Sequence, residues 1–292
     1  MRFKITHSTR YRYGINVGRC YNLAHMLPRD TERQTCMRAK VKIDPVPAHS
    51  NKRKDYFGNS AYYFAIQKAH SELCIETESE VEMSEQIDLP ALEFGLSCSE
   101  ALDRIQTSKE LDVILAKEYI LDSPMIKANE ALPEYAAPLF LPDRPLLGAV
   151  RELTQKIFKE FAYDPGFTTI ATPLHDVLAH KRGVCQDFAH LAIGCLRSLG
   201  FPARYVSGYL ETLPPPGQEK LIGADATHAW LSVFSPGEGW FEFDPTNDQI
   251  AGEQHIVTAW GRDYSDVTPL RGVIFGGGES HDLAVAVTVQ RL

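Results

Sequence analysis

Arg182-Gly183-Val184-Cys185-Gln186-Asp187 stands at the break between a glycine-containing loop and an amphipathic stretch. From Phe188 the apolar residues recur as Phe188, Leu191, Ala192, Cys195, Leu196 and Leu199, the spacing of one helical face. Gly200 and then Pro202 end the pattern, as a C-terminal glycine and a following proline do. Cys185 is therefore expected in the first turn of a helix. There, free backbone N–H groups and the helix dipole favour a thiolate, the nucleophilic form of cysteine.

A nucleophile needs a base, and the base needs a group that orients it. Asp225 to Phe234 alternates and is rich in β-formers, which predicts a strand. Ser235-Pro236-Gly237-Glu238-Gly239 reads as a turn, and Trp240 to Asp244 as a second strand stopped by Pro245. If the five turn residues close a simple hairpin, Phe234 faces Trp240 and Trp230 faces Asp244. His228 and Asp244 then lie diagonally on one face, within reach of each other.

Four blocks carry a family resemblance: Gly183-Val184-Cys185-Gln186-Asp187, Gly200 to Tyr209, Thr227-His228-Ala229-Trp230 and Phe243-Asp244-Pro245-Thr246. In this order they resemble the transglutaminase-like superfamily, whose bacterial branch is often labelled as candidate cysteine proteases. His7-Ser8-Thr9-Arg10-Tyr11, His25-Met26-Leu27-Pro28-Arg29 and Asp55-Tyr56-Phe57-Gly58-Asn59 are similar to the β-rich domain that precedes this core in bacterial members. The likeness is weakest between about Gln86 and Pro142. It implies an α+β fold: a β-sandwich-like N-terminal domain, then a papain- or transglutaminase-like core with a Cys-bearing helix packed on an antiparallel sheet. It also implies Cys185 as nucleophile, His228 as general base and acid, and Asp244 as the group that orients the imidazole.

The chain has 292 residues, enough for two domains, with ordinary apolar and charged fractions. A net charge of −8 argues against nucleic acid or an anionic membrane as the main partner. No apolar run approaches the roughly 20 residues of a spanning helix. Met1 to His7 alternates like a strand rather than forming the apolar core of a signal peptide, so a cytoplasmic location is the expectation. Cys20, Cys36, Cys74, Cys98, Cys185 and Cys195 are scattered, which argues for free thiols. Cys195 falls on the apolar face of its helix and reads as core.

Residues 1–86 read as a β-rich domain, with strands over Arg2–Tyr13, Thr35–Ile43, Ser60–Ile66 and Ser71–Met83. Residues 87–142 read as a helical and loop-rich join, with one helix from Ser99 to Leu121 capped by Ser99. Residues 143–292 read as the core. Its first helix runs Leu146–Phe161 with Asp143 as N-cap and Pro145 in the first turn. After the Cys185 helix come strands Ala203–Thr212, Thr227–Phe234, Trp240–Asp244 and Leu283–Leu292. Pro214-Pro215-Pro216-Gly217 and Gly276-Gly277-Gly278 read as exposed loops that could border a cleft.

Other readings compete. His175, His180, Cys185, His190 and Cys195 recur every five residues, but that period puts them on no single helical face, and a Cys-x-x-Cys pair is missing; metal is not expected. No cofactor is called for, and no calcium loop is evident. For an oxyanion hole the N–H of Cys185 is the first candidate, with Gln186 or Tyr163 as a second donor. Tyr205 and Tyr209 share a strand face and either line the acyl cleft or pack the core. Trp230 reads as packing or as a wall of the site. The expected chemistry is thiol-dependent acyl transfer on a peptide or protein amide, through a thioester. Water as acceptor makes a peptidase or amidase, and a lysine amine makes a crosslinking transglutaminase. A non-catalytic peptide-binding module is the alternative of another class.

Overall fold

A computed structural model describes residues 1–84, 92–169, 172–212, 227–278 and 280–292. In chain order the elements are β1 (Arg2–Ala24), β2 (Gln34–Asp44), β3 (His49–Lys54), β4 (Ser60–Ile66), β5 (His70–Met83), α1 (Cys98–Thr107), α2 (Leu111–Ala116), α3 (Ala131–Ala136) and α4 (Leu146–Glu160). There follow β6 (Ala162–Tyr163), α5 (Leu174–His180), β7 (Arg182–Gly183), α6 (Cys185–Ser198), β8 (Ala203–Leu210), β9 (Thr227–Ser235) and β10 (Gly239–Asp244). The chain closes with β11 (Gln249–Ile250), β12 (His255–Gly261), α7 (Tyr264–Val267), β13 (Leu270–Gly276) and β14 (His281–Arg291).

The architecture is α+β, with two large antiparallel sheets. The first runs β2-β5-β1-β4-β3, and both β13 and β14 also pair with β1. The 23-residue β1 serves two sets of partners. Its first half lies between β5 and β14, its second between β4 and β13. Alternation decides its faces: Phe3, Ile5 and His7 are buried while Arg2 and Thr6 are exposed. The second sheet runs β11-β10-β9-β8-β12. On one face it carries α6, whose Phe188, Leu191, Ala192, Cys195 and Leu196 pack with Ala203, Tyr205, Leu231, Val233 and Phe243 in the main core.

The sheets meet through Phe3, Ile5, Val81 and Met83 of the first against Tyr209 and Ile256 of the second. A polar tie crosses the same seam. His7 Nδ1 is 2.8 Å from the Tyr209 hydroxyl, which donates to the Met26 carbonyl at 2.9 Å.

Several elements depart from the sequence reading. The closing strand, expected beside the other core strands, instead pairs with β1 from Phe3↔Arg291 to Tyr13↔His281. The stretch from Ser99 to Leu121 is not one helix: Ser108 turns extended (φ −64°, ψ 142°), and α2 and a short 3-10 turn follow. Ser97, not Ser99, caps α1, because only Ser97 stands three residues before Glu100 and completes a capping box with it. Asp143 does not cap α4. Pro145 occupies the cap position, and no side chain accepts there. Pro214 to Gly217 lies outside the described residues.

Candidate active site

Cys185 opens α6 because its neighbours build the turn before it. Val184 is the N-cap, with extended backbone (φ −119°, ψ 179°) and no side-chain acceptor of its own. Asp187 supplies the missing cap: its Oδ2 accepts from the Val184 N–H at 2.8 Å and from the Thr168 hydroxyl at 2.7 Å. Gly183 is required by this closeness, since a Cβ there would stand 2.8 Å from both Cβ and Oδ2 of Asp187. Cys185 is thereby left half-buried at the first helical position, where backbone N–H groups have no intrahelical acceptor.

His228 begins the buried part of β9, and Asp244 ends β10. The hairpin register has Trp240 opposite Phe234 and Phe243 opposite Leu231, as a five-residue turn predicts. It brings His228 Nε2 to 2.7 Å from Asp244 Oδ2. Cys185 also acts on this ring. Burial alone would push the His228 pKa down. Hydrogen bonding and charge from Asp244, and also from Cys185, overcome it and raise it to about 10. Asp244 has no exposed surface. Burial works against its charge, but bonds from His228, His255 and Asn247 prevail and hold the carboxyl well below its ordinary value.

The sequence reading missed two of those donors. His255 Nε2 is 3.2 Å from Asp244 Oδ2, and Asn247 Nδ2 donates to the same oxygen at 2.7 Å. The backbone N–H groups of Thr246 and Asn247 donate to Oδ1 at 2.9 and 3.3 Å. The Gly252 N–H donates to His255 Nδ1 at 3.2 Å, so the proton of that ring sits on Nε2 and points at the carboxylate. Trp230 is wholly buried beside the two histidines, 5.9 Å from the His228 ring and 5.2 Å from the His255 ring. Its indole N–H donates to Glu242 at 2.8 Å. A histidine eleven residues from Asp244 on another strand has no local signal to betray it.

The remaining candidates divide. Tyr163 is 58% exposed beside Phe188, and its hydroxyl pKa is raised first by burial and then by the charge on Cys185. Gln186 is half-buried next to Cys185. Tyr205 is buried, 4.9 Å from the His190 ring, with its pKa driven up by burial and next by Cys185. Tyr209 is not in this group. It lies in the seam between the sheets.

Of the five residues weighed as metal ligands and set aside, His190 accepts the Tyr264 N–H at 3.1 Å and Cys195 is buried in the core. Among the described residues one group gathers three potential ligand atoms within 4.8 Å: His228, Asp244 and His255. Hydrogen bonds from both rings to one carboxylate oxygen account for that closeness, and a cation would need those same atoms.

Two family models match the chain: the bacterial transglutaminase-like N-terminal region over residues 3–82, and the transglutaminase-like superfamily core over 133–245. An uncharacterized protein of Mycobacterium tuberculosis is 42% identical over 294 residues, covering 99% of this chain and 92% of that protein. The chain belongs to the transglutaminase-like superfamily. The core match spans Cys185, His228 and Asp244 and stops one residue after the last. Within the superfamily, a protein-glutamine gamma-glutamyltransferase of Pseudomonas aeruginosa is 33% identical over 110 residues, 35% of this chain and 16% of that protein. In three dimensions a candidate cysteine protease of Cytophaga hutchinsonii matches at a TM-score of 0.66 and 19% identity, covering 99% of this chain and 90% of that chain. That likeness shows the fold.

Proposed function

We propose that Cys185, His228 and Asp244 form a catalytic triad for acyl transfer at amide bonds, and that the acceptor is water, making the protein a cysteine peptidase or amidase. The observation that carries this reading is the shared ring of His228. It is held by Asp244 at 2.7 Å on one nitrogen and influenced by Cys185, with a pKa raised to about 10. Such a ring is charged at neutral pH and stabilises a thiolate beside it.

In the proposed cycle the Cys185 thiolate attacks the amide carbonyl carbon, and a carbon–sulfur bond forms. The carbonyl oxygen becomes an oxyanion facing the free N–H groups that start α6. The carbon–nitrogen bond then breaks, and the amine leaves with the proton from His228. Water attacks the thioester while the neutral imidazole takes its proton. The carboxylic acid departs, and the thiolate–imidazolium pair returns. Asp244 stays ionised throughout and holds the ring in place.

A lysine amine could replace water in the second half. The partial relationship to a protein-glutamine gamma-glutamyltransferase supports that second reading. One experiment separates them: glutamine-containing peptides are incubated with and without a primary amine, and products are read by mass spectrometry. The hydrolytic reading predicts free acid in both cases, and the transfer reading an amine adduct. A peptide-binding module predicts neither product, and binding unchanged in Cys185→Ala.

A further inference from the structure

Five buried side-chain polar atoms among the described residues lack a hydrogen-bond partner, and three of them lie on or against the second sheet: Arg204 Nε and Ser232 Oγ on it, and Arg29 Nε, from the β1–β2 connection, against it. Arg204 and Ser232 are cross-strand neighbours on β8 and β9. The Arg204 guanidinium lies 3.7 Å from the Trp260 ring centre and 4.2 Å from that of Trp240. Arg29 stacks on the same Trp260 at 3.1 Å. Both arginines are only 8% exposed. Arg29 donates to the Phe57 carbonyl and to Asn59 Oδ1, whereas Arg204 Nε has no hydrogen-bond partner among the described residues.

The nearby acids are few and shared. Glu242, across from Ser232, accepts from the Trp230 indole, and its charge acts on both Arg204 and Arg29. Asp55 faces His25 and bonds Asn59. Glu32 is exposed, and its charge acts on Arg204 less than that of Glu242. Burial lowers both guanidinium pKa values to about 10, and the charge on Arg204 lowers that of Arg29 further; both remain charged at neutral pH.

Burying a charge is costly, and a buried donor without an acceptor adds to the cost. Arg29 Nε, Arg204 Nε and Ser232 Oγ, unpartnered among the described residues and set beside two cations that share Glu242, call for a partner that accepts and carries negative charge. We propose that Arg204 and Ser232, backed by the charge of Arg29 across Trp260, bind a small oxyanion of the carboxylate or phosphate type. The two tryptophans exclude water from the guanidinium face and strengthen its field.

The anion has two possible sources, a free inorganic ion or a carboxylate on the acyl donor. Ser232 stands on the same strand as His228, four residues along and on the same face, about 13 Å away at the rise of a β-strand. A carboxylate a few residues from the scissile amide spans that distance. This second source rests on the acyl-transfer reading, while anion binding itself does not.

The test is thermal melting of the whole chain in sodium phosphate against sodium chloride at matched ionic strength, for wild type, Arg204→Gln, Arg204→Lys and Ser232→Ala. The proposal expects a saturable rise in Tm with millimolar phosphate in wild type. Apparent affinity should fall at least tenfold in Arg204→Gln and measurably in Ser232→Ala. A rise that does not saturate, or that is equal in every variant, is general salt exclusion and overturns the proposal. If Arg204→Gln fails to fold, Arg204→Lys and Ser232→Ala carry the same comparison. Peptide donors with a free or an amidated C-terminus then distinguish the sources. A KM raised by phosphate only for the free acid assigns the site to substrate, and no difference assigns it to a free ion. Failure of all turnover would count against the acyl-transfer reading and leave the phosphate result standing.

Discussion

Asp244 is the residue on which the site turns. It is fully buried, and His228, His255, Asn247 and two backbone N–H groups all donate to its carboxylate. Replacing His255 by Leu removes one donor from a buried charge, a bond worth about 2 kcal/mol. Turnover should fall at least tenfold and the acid limb of its pH profile should move up. His255→Gln, which keeps a donor, should recover most of the loss. An unchanged profile in His255→Leu would mean that His255 only packs. His228 gives a second prediction. Its folded pKa of about 10 lies above the ordinary 6.5, so its contribution to stability is complete below 6.5 and is lost as pH rises through 10. Asp244 is shifted the other way, so its contribution is present above its ordinary 3.8 and lost as pH falls through its folded value. Acyl transfer, which needs the imidazolium to protonate the leaving amine, should fall through about pH 10 in a pH–rate profile.

At the scale of elements, the parts legible in the sequence were those with local causes. Cys185 at a helix start follows from the apolar face after it and the glycine before it, and the β9–β10 register follows from the turn length. His255 was illegible because it reaches Asp244 only through the folding of β12 onto β8, which pairs elements 45 residues apart. The exposed, polar β3 has no alternation to reveal it. Gly183 tests the local argument. Gly183→Ala forces a Cβ against Asp187, so urea melts should show a loss of about 1–3 kcal/mol, as overpacking does. The turn before Cys185 should shift with it and slow alkylation of that thiol.

The whole molecule is closed by pairings that no local pattern encodes. The last strand returns to β1 rather than to the strands just before it, which places both ends of the chain in one sheet. His7 ties that sheet to the second through Tyr209 and is held neutral: burial lowers its pKa to about 4 from 6.5. The unfolded chain therefore binds more protons between pH 6.5 and 4. Stability should be full above 6.5 and fall as pH drops towards 4, by about 3 kcal/mol from His7. His190, lowered to about 4 chiefly by burial, adds to the same slope. Urea melts at pH 7 and pH 4.5 should show a smaller loss in His7→Gln than in wild type.

The central claim is that Cys185 and His228 act as one reactive unit. Intact-mass measurement of iodoacetamide labelling at pH 6 tests it, on wild type, Cys185→Ala and His228→Ala. All six cysteines are free thiols, so Cys36 and Cys74, half-buried as Cys185 is, provide the internal standard. The account predicts fast single labelling of wild type at Cys185, absent in Cys185→Ala and slowed to the rate of the other thiols in His228→Ala. Labelling of Cys185 no faster than Cys36, or equally fast without His228, would contradict it.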